Sequence, residues 1–110
     1  MSTYFADDLM FIQPLIDEPG IKLYGQVMGI HKIPLNLALQ ACRRQHQNIT
    51  IDLTRVDHLS RSALETLVGA ARSLPPSVRL TLRARPELDL PGRLTAHGWH
   101  ETQSLHLAEP

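Results

Sequence analysis

The 110-residue chain has eleven basic and eleven acidic residues, and 43% of its residues are hydrophobic. This composition is typical of one globular domain with its own core, and it excludes an intrinsically disordered chain. The balanced charge argues against a nucleic-acid or anionic-membrane partner. The single cysteine cannot form an internal disulfide, and no apolar run reaches the roughly 18 residues of a membrane span. We therefore predict one cytoplasmic domain over residues 1–110.

The first part of the chain predicts a β-hairpin followed by a helix. Apolar-rich runs at 9–16 and 21–28 are joined by the sequence DEPG, which is typical of a turn. Pro14 has no N–H to donate to a ladder, so the first strand is expected at a sheet edge or at a bulge. Pro34 suits a first helical turn, and the apolar residues after it recur on one helical face. That face includes Cys42, which we interpret as a small core residue.

The rest of the chain alternates strands with helices. A short strand is predicted at 49–53, a helix with its apolar face over 63–71, and a further strand at 78–83. A short helix at 91–97 and a last strand at 105–107 complete the order. Such alternation requires right-handed crossovers and parallel strands. We predict an α/β fold with a mixed sheet of four or five strands and helices packed mainly on one face.

Hydroxyl side chains mark the start of the second predicted helix. Ser60, Arg61 and Ser62 stand where backbone N–H groups are unpaired and the helix dipole favours negative charge. Capping is the default role of the serines, and Ser62 with Glu65 has the spacing of a capping box. Arg61 and Glu65 are four residues apart and can form a weak surface pair. Gly69, inside the helix, costs about 1 kcal/mol relative to alanine, which close approach of a neighbour or a partner would explain.

Short motifs spread from Leu9 to Leu107 together carry a family resemblance. They are Gly25-Gln26-Val27, Leu35 with Ala38-Leu39, Ile51-Asp52-Leu53-Thr54, Val56, Leu59, Ser62, Leu64, Leu67, Leu80, Leu82, Leu94 and Gly98-Trp99. In combination, and in the same element order, they resemble the STAS domain of sulfate transporters and anti-sigma factor antagonists. A member of this length is similar to bacterial anti-anti-sigma factors, which bind an anti-sigma factor that is also a serine kinase.

The resemblance implies that the usual phosphorylation switch is altered in this chain. In the family, a motif of Asp-Ser-Ser/Thr-Gly opens the second helix, and its first serine is phosphorylated to break the complex. Here the motif reads Ser60-Arg61-Ser62-Ala63, so the acceptor position is Arg61, and the family's acid after Gly-x-x is Met28. A permanent positive charge matches neither a hydroxyl nor a phosphate of about minus two. Ser62 and Thr54 are the remaining candidates for phosphorylation.

By the same resemblance, the chain is expected to be an anti-anti-sigma-factor-like regulatory binding protein that is not switched at Arg61. Its partner would be an anti-sigma factor or a related ATPase-like regulator. The binding surface would comprise the loop after Leu53, the start and exposed face of the second helix, and the loop at 28–32. The residues expected to contact the partner are Met28, Thr54, Asp57, Ser60, Arg61, Ser62, Glu65 and Gly69.

The alternative from another class is a non-enzymatic assembly or sensory-complex module. Such a module would self-associate, as a homodimer for example, or bind a sensor protein. Nucleic acid is not an expected partner, because the local basic cluster lacks interleaved aromatic residues. That cluster, which we interpret as the solvated side of a strand, comprises Arg79, Arg83, Arg85 and Arg93.

The sequence lacks features that an enzyme active site or a metal site requires. Asp57-His58 with Ser60 or Ser62 supplies the residue types of a catalytic triad, but triad members come from separate segments and no Gly-x-Ser-x-Gly elbow is present. Three histidines between His97 and His106 have no carboxylate or cysteine pattern to complete a metal site. We expect no catalysis, no metal and no cofactor.

Overall fold

The structure, a computed structural model, describes residues 3–43 and 47–109, and the side chains of residues 42 and 43 are outside that description. The expected core position of Cys42 therefore lies outside the described residues. The strands are β1 (Phe5–Ala6), β2 (Met10–Pro14), β3 (Gly20–Val27), β4 (Ile49–Leu59), β5 (Leu80–Arg83) and β6 (Leu105–Ala108). The helices are α1 (Lys32–Arg43), α2 (Arg61–Arg72) and α3 (Leu90–Ala96), with short 3-10 helices at Gly29–His31, Pro86–Leu88 and Trp99–Glu101.

The strands form one mixed sheet whose spatial order is the order of the sequence, β1 to β6. The first three strands are antiparallel and the last four are parallel, as predicted. The expectation of four or five strands was wrong, because β1 has only two residues and no readable periodicity. β2 is not the edge strand, because β1 lies beside it. β1 pairs only with Phe11 and Ile12, however, so Pro14 has no β1 residue opposite it and needs no N–H on that side.

Burial alternates along the strands in the way that a sheet covered on one face requires. In β5, Leu80 and Leu82 are fully buried whereas Thr81 and Arg83 are partly exposed. The inner faces of α1 and α2 are equally buried at Leu35, Leu39, Leu64 and Leu67. Since sequential parallel strands joined by right-handed crossovers place their helices on the same side, the core lies between one sheet face and the helices.

The carboxyl half of β4 extends much further than the sequence indicated. β4 pairs with β3 as far as Leu59, with irregularities opposite Lys22–Tyr24 and Gly25–Gln26 that interrupt the alternation. Gly25 has a φ of 88°, and a Cβ there would lie 2.2 Å from the Leu9 carbonyl oxygen, so only glycine fits. The expected loop after Leu53 was therefore wrong, because residues 54–59 continue the strand.

Candidate partner-binding site

The start of α2 is fixed by its cap and by the neighbouring strand. Ser60 is the N-cap, and its Oγ accepts a hydrogen bond from the N–H of Ala63 at 3.1 Å. The N–H of Ser60 donates to the carbonyl oxygen of Val27 at 2.9 Å, which ties the helix start to the end of β3. Ser62 lies inside the first turn, so the suggested capping box of Ser62 and Glu65 was wrong. Ser60 alone satisfies the side-chain cap.

Arg61 is the first residue of α2 and its side chain is exposed. No acidic residue lies in the first turn of the helix. Within residues 3–43 and 47–109, the guanidinium forms neither an ion pair nor a hydrogen bond, so the considered pair with Glu65 is not formed. A cation at an exposed helix start is unfavourable by a few tenths of a kcal/mol. No described residue accounts for the charge at this position.

The segment from Met28 to Lys32 lies against the start of α2. A 3-10 helix begins after Met28, and a Cβ added to Gly29 would lie 3.2 Å from the Cβ of Ser62. This approach brings the two segments that the sequence predicted as one surface into contact. We call the surface formed by residues 28–32, Ser60–Ser62, Glu65 and Gly69 the docking edge.

An open groove of about 640 Å³ runs between α1 and α2, and several residues of the docking edge line it. Ser62, Glu65 and Gly69 line its α2 side, and Lys32 and Asn36 line its α1 side. The structure thus brings three of the eight predicted contact residues to one groove. Because polar side chains and a glycine form much of its wall, the groove suits a polypeptide segment better than an apolar small molecule.

Gly69 faces open space in the part of the chain that the structure describes. It is exposed, and a Cβ at this position would find no heavy atom within 4 Å. Packing against the protein's own sheet therefore does not explain a glycine in the helix interior. Partner contact at Gly69 stays a prediction.

Thr54 and Asp57 lie on β4 and do not line the groove. The Thr54 Oγ1 donates to the Asp52 Oδ1 at 2.6 Å, and the Thr54 N–H donates to the same oxygen at 2.9 Å. A phosphate on Thr54 would replace this bond and lie beside the Asp52 carboxylate. Asp57 is exposed near the second irregularity of the strand. Partner contact at either residue stays a prediction.

The residues of the enzymatic interpretation are not brought together as a triad. The Ser60 Oγ accepts the capping bond, and in the described part of the chain His58 forms no hydrogen bond with Ser60 or Ser62. No group of three or more histidine, cysteine, aspartate or glutamate side chains is placed to hold a metal ion anywhere in the described ranges.

Three exposed apolar side chains that begin in the docking edge and continue along α1 were not identified from the sequence. Ile30, Ile33 and Leu37 are 74%, 72% and 61% exposed. They are three and four residues apart, so they follow one line along the outer side of the 3-10 helix and α1. The spacing is visible in the sequence, but the longer apolar face on the inner side of α1 was the one interpreted there. Exposed apolar residues in a row are typical of protein interaction surfaces.

No helix in the described part of the chain has both the length and the apolar character needed to cross a membrane. Comparison with protein-family models and with curated protein sequences found no match. Among solved structures, the chain is similar to the crystal structure of an anti-sigma factor antagonist from Mycobacterium paratuberculosis, with a TM-score of 0.71 at 20% sequence identity. The similarity covers 92% of this chain and 88% of that chain. At this identity the similarity establishes the fold, and the STAS-like α/β architecture expected from the sequence is confirmed.

Proposed function

We propose that this chain is an anti-anti-sigma-factor-like regulatory binding protein that contacts its partner through the docking edge. The observation that carries the proposal is Arg61, which is exposed at the first position of α2 and has no partner within the described residues. The fold supplies no use for this charge, whereas a partner carboxylate would. The protein acts in the cytoplasm by binding, without catalysis or a cofactor.

The proposed partner is an anti-sigma factor or a related ATPase-like regulator. Support comes from the structural neighbour, which is itself an anti-sigma factor antagonist. Two exposed cations, Arg61 and Lys32, lie on the docking edge, with Glu65 as its acidic residue. The matching surface of the partner is therefore expected to be predominantly acidic, because complementary charge favours association and fixes orientation.

The proposed complex is not controlled by phosphorylation at residue 61, because arginine has no phosphoacceptor group. Ser62 is the remaining candidate on the docking edge. A phosphate there would lie near unpaired N–H groups of the first turn, which is favourable, but also against Gly29. Phosphorylation of Ser62 would therefore disturb the contact between the two segments of the docking edge.

The test compares the partner affinity of wild type, Arg61→Ser and Arg61→Glu. Proteins captured from the native cytoplasm by the tagged chain are identified, and the captured ATPase-like regulator is purified for calorimetric titration. We expect Arg61→Glu to bind at least about tenfold more weakly than wild type, which corresponds to about 1.4 kcal/mol. Arg61→Ser should lie between the two.

Arg79→Glu is the matched control, because it makes the same charge change at an exposed residue outside the docking edge. It should bind like wild type. Equal losses for the two glutamate variants would show that net charge, rather than the docking edge, governs binding. Recovery of no ATPase-like regulator would contradict the proposed partner.

The exposed line of Ile30, Ile33 and Leu37 specifically favours the alternative, a self-associating assembly module. On that alternative, sedimentation of the purified chain would reveal a concentration-dependent dimer, and Ile33→Glu would abolish it. Our proposal instead predicts a monomer across the same concentrations. Recovery of only the chain itself or a sensor protein in the capture experiment would also support the alternative.

A further inference from the structure

His31 is a buried histidine whose two ring nitrogens are both engaged. It is 1% exposed and ends the 3-10 helix of the docking edge. Its Nδ1 lies 2.9 Å from the backbone nitrogen of Met28, and its Nε2 lies 2.9 Å from the Oδ2 of Asp7. A backbone N–H can only donate, so Nδ1 must be the acceptor and carry no proton. The ring is thus assigned as the tautomer protonated at Nε2.

Asp7 is held as an acceptor by the turn between β1 and β2. Its Oδ1 accepts the N–H of Leu9 at 2.8 Å and the N–H of Met10 at 2.7 Å. The bonds from Met10 and Leu9 lower the pKa of Asp7 below its usual value. Oδ2 is left to face the imidazole, and a carboxylate at that place requires Nε2 to donate. The acid and the backbone amide therefore specify the same tautomer from opposite sides of the ring.

These contacts form a continuous chain from the β1–β2 turn to the docking edge. Asp7 orients His31, His31 accepts from Met28, and the carbonyl oxygen of Met28 accepts the N–H of His31 at 3.0 Å. The next residue, Gly29, approaches Ser62 at the start of α2. The Phe5 ring of β1 packs edge-on to the imidazole, with 6.0 Å between ring centroids.

We propose that Asp7 and His31 are positioning residues of the docking edge: the Asp7 carboxylate fixes the tautomer of His31, which in turn holds the Met28–His31 segment against the start of α2. The proposal rests on the proposed function for the role of that surface, but the relay itself is a property of the isolated chain. Neither Asp7 nor the buried His31 needs to touch the partner. Loss of the carboxylate is enough to disturb the segment, although Asp7 belongs to a distant turn.

Asp7→Asn is the decisive variant. The amide oxygen can keep the two bonds from Leu9 and Met10, which leaves the NH₂ group facing Nε2. Two donors then oppose each other, so the ring is expected to move its proton to Nδ1 and lose the bond from Met28. Asp8→Asn is the matched control, because it removes the same charge from the adjacent exposed residue.

Two measurements on the isolated protein test the relay. Nitrogen chemical shifts of labelled histidine should show Nε2 protonated in wild type and Asp8→Asn, and Nδ1 protonated in Asp7→Asn. Hydrogen exchange of the Met28 amide should be about tenfold faster in Asp7→Asn than in the other two proteins. A wild-type ring protonated at Nδ1 would overturn the relay without any variant, as would an unchanged tautomer in Asp7→Asn.

Partner titration then separates the relay from the proposed function. With the captured ATPase-like regulator as probe, Asp7→Asn should weaken binding about tenfold, and Asp8→Asn should not. If the ring and exchange results are as expected and Arg61→Glu weakens binding but Asp7→Asn does not, the positioning role is wrong. If Arg61→Glu also binds like wild type, the docking edge itself is wrong while the relay stands.

Discussion

Arg85 and Arg93 differ from Arg61 in whether their guanidinium groups hydrogen-bond to the protein, although all three lie near the carboxyl end of β4. The Nη2 of Arg85 donates to the carbonyl oxygen of Val56 at 2.9 Å, and the Nη2 of Arg93 donates to that of Leu59 at 2.7 Å. Both arginines belong to the region after β5. Arg61, at the start of α2, has no such partner within the described residues. The first two charges serve the fold, and the third does not.

The physical reason for the hydrogen bonds of Arg85 and Arg93 lies in the unequal lengths of the strands. β5 pairs with β4 only from Ile49 to Asp52, so the rest of β4 has no neighbouring strand on that side. Carbonyl groups left there need donors, and guanidinium groups supply them. These arginines were expected on the solvated side of a strand, but Arg85 and Arg93 instead donate to backbone carbonyl oxygens. The role of an arginine therefore depends on whether the backbone beside it is already hydrogen-bonded.

The largest expected effect on stability is at Arg93. Arg93→Met keeps much of the aliphatic stem but removes the donor to the Leu59 carbonyl oxygen. A hydrogen bond from a charged group contributes roughly 1.5–3 kcal/mol, so we expect the free energy of unfolding to fall by about 2 kcal/mol. Arg61→Met is the matched control and should change it by less than about 0.5 kcal/mol. Urea denaturation of both variants measures the difference, and equal losses would remove the distinction between Arg93 and Arg61.

The start of α2 is capped by Ser60 without any contribution from the Arg61 side chain. Ser60→Ala removes the acceptor for the Ala63 N–H and should lower the free energy of unfolding by about 1 kcal/mol. Ser62→Ala, two residues further on, should change it by less than about 0.5 kcal/mol. Thermal denaturation of the pair is the measurement. A larger loss of stability for Ser62→Ala than for Ser60→Ala would instead support a capping box of Ser62 and Glu65.

Gly69 tests whether the exposed face of α2 is kept for a partner. Gly69→Ala meets no neighbour and should raise the free energy of unfolding by about 0.8 kcal/mol. Gly98→Ala is the contrasting control, because Gly98 also has open space but a φ of 71°, so alanine there should destabilise the protein. If the partner approaches the backbone at Gly69, the same alanine should weaken binding. A stabilised variant with unchanged partner affinity would exclude Gly69 from the docking edge.

The smallest expected effect is the electrostatic effect of Arg61 on the isolated protein. Arg61→Ser removes a cation from a helix start and should raise the free energy of unfolding by about 0.3 kcal/mol at low ionic strength. Salt should reduce the gain, because the charge is exposed. A loss of stability instead would mean that Arg61 contributes to the fold, which would contradict its proposed role. Denaturation at two salt concentrations provides the measurement.

Prediction from the sequence was most accurate where apolar residues recur over several turns or strand pairs. The hairpin of β2 and β3, the three helices and the parallel arrangement of β4, β5 and β6 were all anticipated. It failed where the signal is short or interrupted. β1 is too brief to show a period, and the irregularities of β4 break the alternation after Leu53.

For the candidate site, the sequence located the start of α2 and the exposed residue Arg61, since caps and helix faces follow from local spacing. It did not find the exposed line of Ile30, Ile33 and Leu37, nor the role of His31. The spacing of the three apolar residues is visible in the sequence, but their exposure and the contacts of His31 depend on how the segment packs against the rest of the protein. The approach of Gly29 to Ser62 joins residues that are 33 positions apart in the chain.

Local periodicity, capping chemistry and residue identity in the sequence specify the hairpin of β2 and β3, the helices, the parallel strands between them and the lack of a phosphoacceptor at residue 61. The STAS-like assignment instead came from the resemblance of the short motifs to that family. Only the packing of the fold places Asp7 against His31, brings Arg85 and Arg93 to carbonyl oxygens of β4, and leaves Arg61 without a partner among residues 3–43 and 47–109. Partners distant in sequence are selected by the packing of the whole sheet and its helices, because a hydrogen bond requires a distance and an angle that local sequence cannot specify.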